Sequence, residues 1–196
     1  MGLTGVVLAG GLSSRLGHDK VRLKLSGASG PDLLARSVRL LQSVCGEALV
    51  IGREQPGYRC HPDKEPGNGP VGGIATALEV SGGPCLLLSC DLPFMEAAVL
   101  ERLVEAHATR PAGALTTCYR QEDTGHKEAL VAVYEYECLP LFRACVEGKL
   151  LKISRVVPEE CQHYLYYSAA DSLPFFNINY PADLELARRM IALLGR

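Results

Sequence analysis

The chain has 196 residues, 47% of them hydrophobic and 21% charged, with a net charge of -2 and eight cysteines. At roughly 150 residues per domain that is one folding unit, residues 1–196, long enough to bury about 70% of its unfolded surface without disulfides or a structural metal. The composition excludes disorder, collagen and coiled coil, and no run approaches the ~18 apolar residues of a membrane span.

The N-terminus MGLTGVVLAGG has no basic stretch ahead of its short apolar run, so a cytoplasmic protein without a membrane partner is expected. Charge divides unevenly along the chain. Residues 1–60 carry eight Lys or Arg against four Asp or Glu, and the remaining residues carry twelve against eighteen, which is +4 followed by -6. A nucleic-acid protein shows a wider basic excess, so nucleic acid is not expected as a partner and the positive front suits a small anionic ligand. The cysteines form no CxxC pair and no Cys/His zinc spacing. They are expected as reduced thiols, with Cys85 and Cys90 serving as small buried hydrophobes.

In chain order, TGVVLA (4–9) predicts a buried strand, and residues 10–30 a loop rich in Gly and Ser. Leu34, Val38, Leu41 and Cys45 recur at helical spacing, with Pro31 suited to the first helical position and Asp32 to the positive end of the helix dipole. ALVIG (48–52) is a second strand, residues 53–69 a loop, Pro70 opens a helix to about 80, and PCLLLSC (84–90) is a third strand. A helix over 96–108 carries apolar Leu100, Leu103 and Val104. Strands near 112–118, 129–134 and 163–167 and helical pieces near 139–147 and 150–156 follow. Pro181 starts a last helix with Leu184, Ala187, Ile191 and Leu194 on one apolar stripe. The alternation of strand and helix predicts an α/β three-layer sandwich around a mostly parallel, Rossmann-like sheet.

The segment LAGGLSSRLGHDK (8–20) leaves the first strand. Gly10 and Gly11 remove side chains where a backbone must approach a flat or anionic ligand, Ser13 and Ser14 add donors, and Arg15 and Lys20 add positive charge. In an open α/β sheet such a loop lies at the carboxyl ends of the strands, where ligands bind. It is neither G-x-x-x-x-G-K-[ST] nor G-x-G-x-x-G, so a P-loop NTPase and a dinucleotide dehydrogenase lose support.

The segment resembles the signature L-A-G-G-x-S-x-R-M-G-x-D-K of the nucleotidyltransferases that activate sugars and pterins, and within them the molybdenum cofactor guanylyltransferase family. Leu16 stands where Met is usual. GPVGGIATAL (69–78), SCDLPFM (89–95), KEALVAVY (127–134) and NINYPADLE (177–185) are similar to further family stretches in the same order, with Ala129 in place of a proline. The resemblance implies a sheet of the nucleotide-diphospho-sugar transferase type. It also implies transfer of GMP from GTP to the terminal phosphate of molybdopterin or its metal-loaded form, with release of pyrophosphate. Other acceptors or bases within the same fold remain open: CTP, a sugar phosphate or a corrinoid phosphate. So does a non-catalytic nucleotide-binding protein that delivers cofactor.

By that resemblance Asp91 holds Mg2+, and a single strand-end carboxylate suffices because magnesium takes one or two carboxylates plus substrate phosphates and water; otherwise Asp91 is a turn residue before Pro93. Lys20 and Arg15 are expected on the triphosphate as catalytic residues, or else as solvated loop charges. Leu8, Ala9, Gly10, Gly11 and Asp63 are expected to bind the nucleotide, with Gly10 favouring guanine over cytosine. Asp63 either accepts the N1 and N2 protons of guanine or is a loop carboxylate. Where the family often carries Asn after the second strand, this chain has Gly52 and Arg53. Asn177 and Asn179 alternate along an extended segment, so they are expected to point the same way and bind the acceptor, or else Asn179 caps the last helix. Lys149, Lys152 and Arg155 either reach the acceptor or form an exposed face. Partners implied are GTP, molybdopterin, and a molybdoenzyme or cofactor-insertion protein.

Overall fold

Strand residues alternate between two apolar faces, and this sets the layers. In the computed structural model, which describes residues 2–10, 19–25 and 30–194, β1 (Thr4–Leu8), β2 (Ala48–Ile51), β3 (Arg59–His61), β4 (Cys85–Ser89), β5 (Thr116–Gln121), β6 (Lys127–Tyr134) and β7 (Gln162–Tyr167) form one sheet in the order β3-β2-β1-β4-β6-β5-β7. Only β6 runs against its neighbours. Val7, Val50, Leu86, Leu88, Val131 and Val133 face α1 (Leu33–Cys45) and α3 (Ala97–Ala108). Val6, Leu49, Ile51, Leu87 and Ala132 face α2 (Gly69–Ser81) and α4 (Leu139–Glu147). The three-layer sandwich follows from a two-residue period meeting helices on both sides.

The helix predicted from Pro31 begins at Leu33 instead. Asp32 is its N-cap, accepting from the Ala35 N–H at 2.7 Å, so its role is a side-chain cap and Pro31 lies outside the helix. The stretch 53–69 read as a loop contains the short edge strand β3, which pairs in parallel with β2. α5 (Pro181–Leu194) buries Leu184, Ala187 and Ile191 against Leu33, Phe94 and Ile178, whereas Leu194, placed on the same stripe by its spacing, is 48% exposed. Asp183 at the third helical position accepts from the N–H groups of Asn179 and Tyr180 at 2.9 and 2.8 Å and closes the start of that helix.

All eight cysteines are free thiols, with Cys85 and Cys90 buried as expected. No described helix is long and apolar enough to cross a membrane.

Candidate functional site

The chain runs from β1 outward through β2 to β3, then returns to place β4 on the other side of β1. The direction of winding reverses between β1 and β4, and the crevice beyond the carboxyl ends of such a strand pair is where an open α/β sheet binds ligands. In register Leu8 lies between Ile51 of β2 and Ser89 of β4. Ala9 continues past the strand end with its N–H on the Ile51 carbonyl at 2.9 Å.

Three residues far apart in sequence meet over this crevice. Lys20 opens a single 3-10 turn, Lys20–Arg22. Its Nζ donates to Asp91 Oδ2 at 3.2 Å and to Asn179 Oδ1 at 2.8 Å. The Lys20 and Asp91 side chains are 16% and 15% exposed, so the ion pair is largely shielded yet open to a ligand. Ser89 donates its hydroxyl to Asp91 Oδ1 at 2.6 Å and fixes the carboxylate plane. The Ile178 N–H binds the Asp91 carbonyl at 3.0 Å, which brings the segment before α5 to the tip of β4.

Asn179 therefore joins Lys20 and does not cap α5, a function its neighbour Asp183 performs. Asn177 does not follow it: exposed, it turns back to the Phe175 carbonyl at 3.3 Å, and no described hydrogen bond joins it to Lys20 or Asp91. The residue between them, Ile178, is fully buried in the core beneath α5.

Gly10 and Gly52 explain each other. Gly52 sits at φ +92°, and a Cβ there would stand 2.6 Å from Gly10 Cα and 2.8 Å from Gly10 N. A Cβ on Gly10 would in turn stand 3.3 Å from Gly52 Cα. The two strand ends cross backbone to backbone, so no side chain fits at 52 in this chain. The next residue points its guanidinium to Asp19, with Arg53 Nη1 on Asp19 Oδ2 at 2.7 Å, and thereby anchors the residue next to Lys20.

Asp63 stands two residues beyond β3, at the carboxyl end of the parallel strands. Its Oδ1 accepts from the Glu65 N–H and from the Thr76 hydroxyl of α2, both at 2.9 Å. Lys149 reaches Asn68 Oδ1 at 3.0 Å, while Lys152 and Arg155 are exposed. Gly11 and Arg15, expected on the nucleotide, lie outside the described residues, as do Ser13 and Ser14.

Sequence reasoning did not single out Ser89, Arg53 and Thr76 for these contacts, nor Glu128. Glu128, the second residue of β6, lies toward the carboxyl end of the neighbouring β4, is buried, and accepts from the Tyr167 hydroxyl at 2.6 Å. Burial pushes its carboxyl above the ordinary range despite that bond. Burial, followed by the Asp91 charge, drives the Cys90 thiol up to about 12, so it stays protonated and is no nucleophile.

The magnesium implied by the resemblance fits the donors present. No group of three or more His, Cys, Asp or Glu among the described residues would hold a metal alone. Asp91 offers hard oxygens with lone pairs beyond those used by Ser89 and Lys20, which suits a cation that completes its shell with phosphate and water.

A shielded lysine beside a strand-tip carboxylate thus stands at the switch point of a mostly parallel sheet, in an α/β fold of the nucleotide-diphospho-sugar transferase type. A model described as the MobA-like NTP transferase domain matches residues 5–163, and the chain belongs to that family. It is 33% identical over 201 aligned residues to the "Probable molybdenum cofactor guanylyltransferase" of Chloroflexus aggregans, with 96% of this chain and 94% of that protein covered. The fold is similar to that of molybdopterin-guanine dinucleotide biosynthesis protein A from Archaeoglobus fulgidus, with a TM-score of 0.76 at 22% identity over 97% of this chain and 100% of that one. It is also similar to CMP:2-keto-3-deoxy-manno-octonic acid synthetase complexed with CTP, with a TM-score of 0.73 at 13% identity over 98% of each chain.

Proposed function

We propose that this protein transfers GMP from GTP to the terminal phosphate of molybdopterin or its metal-loaded form, giving the guanine dinucleotide cofactor and pyrophosphate. The observation that carries the reading is the convergence of Lys20, Asp91 and Asn179 at the switch point between β1 and β4.

An oxygen of the acceptor phosphate forms a bond to the α-phosphorus of GTP while the bond from that phosphorus to the bridging oxygen of pyrophosphate breaks. The nucleophile is already an anion, so no general base is needed. Bound magnesium would neutralise phosphate charge. Asp91 would hold it, with Ser89 keeping the carboxylate oriented. Lys20 sets a positive charge where pyrophosphate accumulates negative charge on leaving, and a donor already fixed in place has little reorganisation left to do. Asn179 holds the lysine from the side of α5. Leu8, Ala9 and Gly10 offer the end of β1 to the nucleoside, with little side-chain bulk at Ala9 and Gly10, and Asp63 accepts from guanine.

A coupled pyrophosphate assay with molybdopterin tests the reading. GTP is expected to release pyrophosphate, CTP far less, and a chelator of divalent cations is expected to stop the reaction. Equal release from CTP would remove the guanine assignment. GTP binding with Mg2+ and acceptor present but without any release would make the molecule a carrier.

A further inference from the structure

Thr76 lies in the middle of α2 and is 1% exposed, surrounded by Ile74, Ala75, Ala77 and Leu78. A hydroxyl in such a place must be paired, and this one is paired twice. It donates to Asp63 Oδ1 at 2.9 Å and accepts from the Lys64 N–H at 3.1 Å. The Glu65 N–H donates to the same Asp63 oxygen at 2.9 Å. Oδ1 thus has both lone-pair directions filled, and no described residue donates to Oδ2.

The rest of the loop is seated as firmly. Asn68, buried, binds the Glu65 carbonyl through Nδ2 at 3.2 Å and accepts from Lys149 through Oδ1. Gly72 lets the Glu65 carbonyl approach so closely that a Cβ would stand 2.6 Å from its oxygen. One turn before Thr76, Gly73 packs against the Leu8 side chain, where a Cβ would meet Cδ2 at 3.2 Å. Asp63 is therefore referenced, through Thr76 and α2, to the end of β1.

We propose that Thr76 is the positioning residue for base selection, its hydroxyl fixing Asp63 so that Oδ2 alone faces the N1–H and N2–H donors of guanine. The proposal rests on the reading that Asp63 accepts from the base. A carboxylate locked by one oxygen presents the other in a single direction, whereas a freely turning one serves any amino group, including that of cytosine. The base is remote from the reacting phosphorus, so the effect belongs in nucleotide affinity.

The test compares Thr76→Val, which removes only the hydroxyl, with Thr76→Ser, which keeps it, using calorimetric Kd and steady-state KM for GTP and for ITP, which lacks the N2 amino group. Thr76→Val is expected to weaken GTP about tenfold in Kd and KM, as a lost hydrogen bond to a charged group does, with kcat within about twofold. Its preference for GTP over ITP should shrink by a similar factor, and Thr76→Ser should restore both. If Thr76→Val does not fold by circular dichroism, Thr76→Ala is read the same way. Should Asp63→Ala abolish the GTP preference while the hydroxyl-deleted variant keeps wild-type Kd and preference, the positioning role is refuted and base reading by Asp63 stands. Should Asp63→Ala retain the full preference, base reading falls and the role of Thr76 falls with it.

Discussion

Replacing Lys20 by Met removes one charge and keeps most of the stem, and the structure separates its two consequences. In the resting protein the Lys20–Asp91 pair is shielded but not sealed, with about one-sixth of each side chain exposed. That places it between surface pairs, at ~0–1 kcal/mol, and buried ones, whose breakage costs ~3–5 kcal/mol. Asp91 keeps the Ser89 hydroxyl in the variant, so a loss of about 1–2 kcal/mol is expected, or a drop of roughly 2–8 °C in Tm for a chain of this length. Turnover should fall much further. Loss of one preorganised donor from developing oxyanion charge costs about 2.7–4 kcal/mol, or roughly 100- to 1000-fold in kcat. The assay is pyrophosphate release at saturating GTP, with circular dichroism to show that the variant is folded. A folded Lys20→Met protein whose kcat stays within about fivefold of wild type would refute the assignment of this lysine to the leaving group.

Gly52→Ala should destabilise the crossing of the β1 and β2 strand ends. A left-handed φ costs a β-carbon about 1–2 kcal/mol and forced overpacking about 1–3 more, so Tm should fall by roughly 5–15 °C, and a scan within 2 °C of wild type would contradict the backbone crossing with Gly10. His107 gives a pH signature at the opposite end of the strands, beside the residue that follows β6. Burial, then the charges of Arg110 and His163, lowers its imidazole from 6.5 to about 4, and the side chain is only 12% exposed beside Glu135. Between those two values the unfolded chain binds the proton that the folded one refuses, so stability rises with pH across the window and falls on acidification. The loss from pH 7.5 to 4.5 should be about 2–3 kcal/mol from this group. His107→Gln should lack that share of the slope in urea unfolding at the two pH values, and identical slopes would exclude His107 as its source.

The layers of the fold were legible because they depend on short windows. Continuous apolar runs in TGVVL and CLLLS mark strands buried on both faces, helical spacing marks α1 and α5, and α4 falls on the residues expected for it, 139–147. β3 was not legible. Arg59–His61 is three residues long, polar and half-exposed, and becomes a strand only because β2 offers it an edge. The start of α1 was misplaced by two residues, since Pro at a first helical position and Asp as a cap compete for the same PD dipeptide and only the Ala35 N–H decides between them. In the site, Lys20 and Asp91 were legible as a pair through their motifs. The contact of Lys20 with Asn179 spans 159 residues and needed the fold. Thr76 carried no signal, because a small hydroxyl inside an apolar helix looks the same whether it bonds its own helix or a distant carboxylate.

The departure at Gly52 and Arg53 has a physical reading that the motif comparison lacked. A family position that often carries an amide after the second strand is here closed to any side chain, because β1 and β2 leave the sheet with their backbones in contact at Gly10 and Gly52. The next residue carries a polar group: Arg53 reaches Asp19, which also meets Arg22 at 3.7 Å. Asp19 precedes Lys20 directly, so a guanidinium anchored on β2 fixes the approach of the lysine from one side while Asn179 fixes it from the other. Lys20 is thus held between two ends of the chain, 53 and 179, neither of which belongs to the loop that carries it. Such bracing limits the conformational freedom lost when a ligand binds, which is the property the proposed leaving-group role of Lys20 requires.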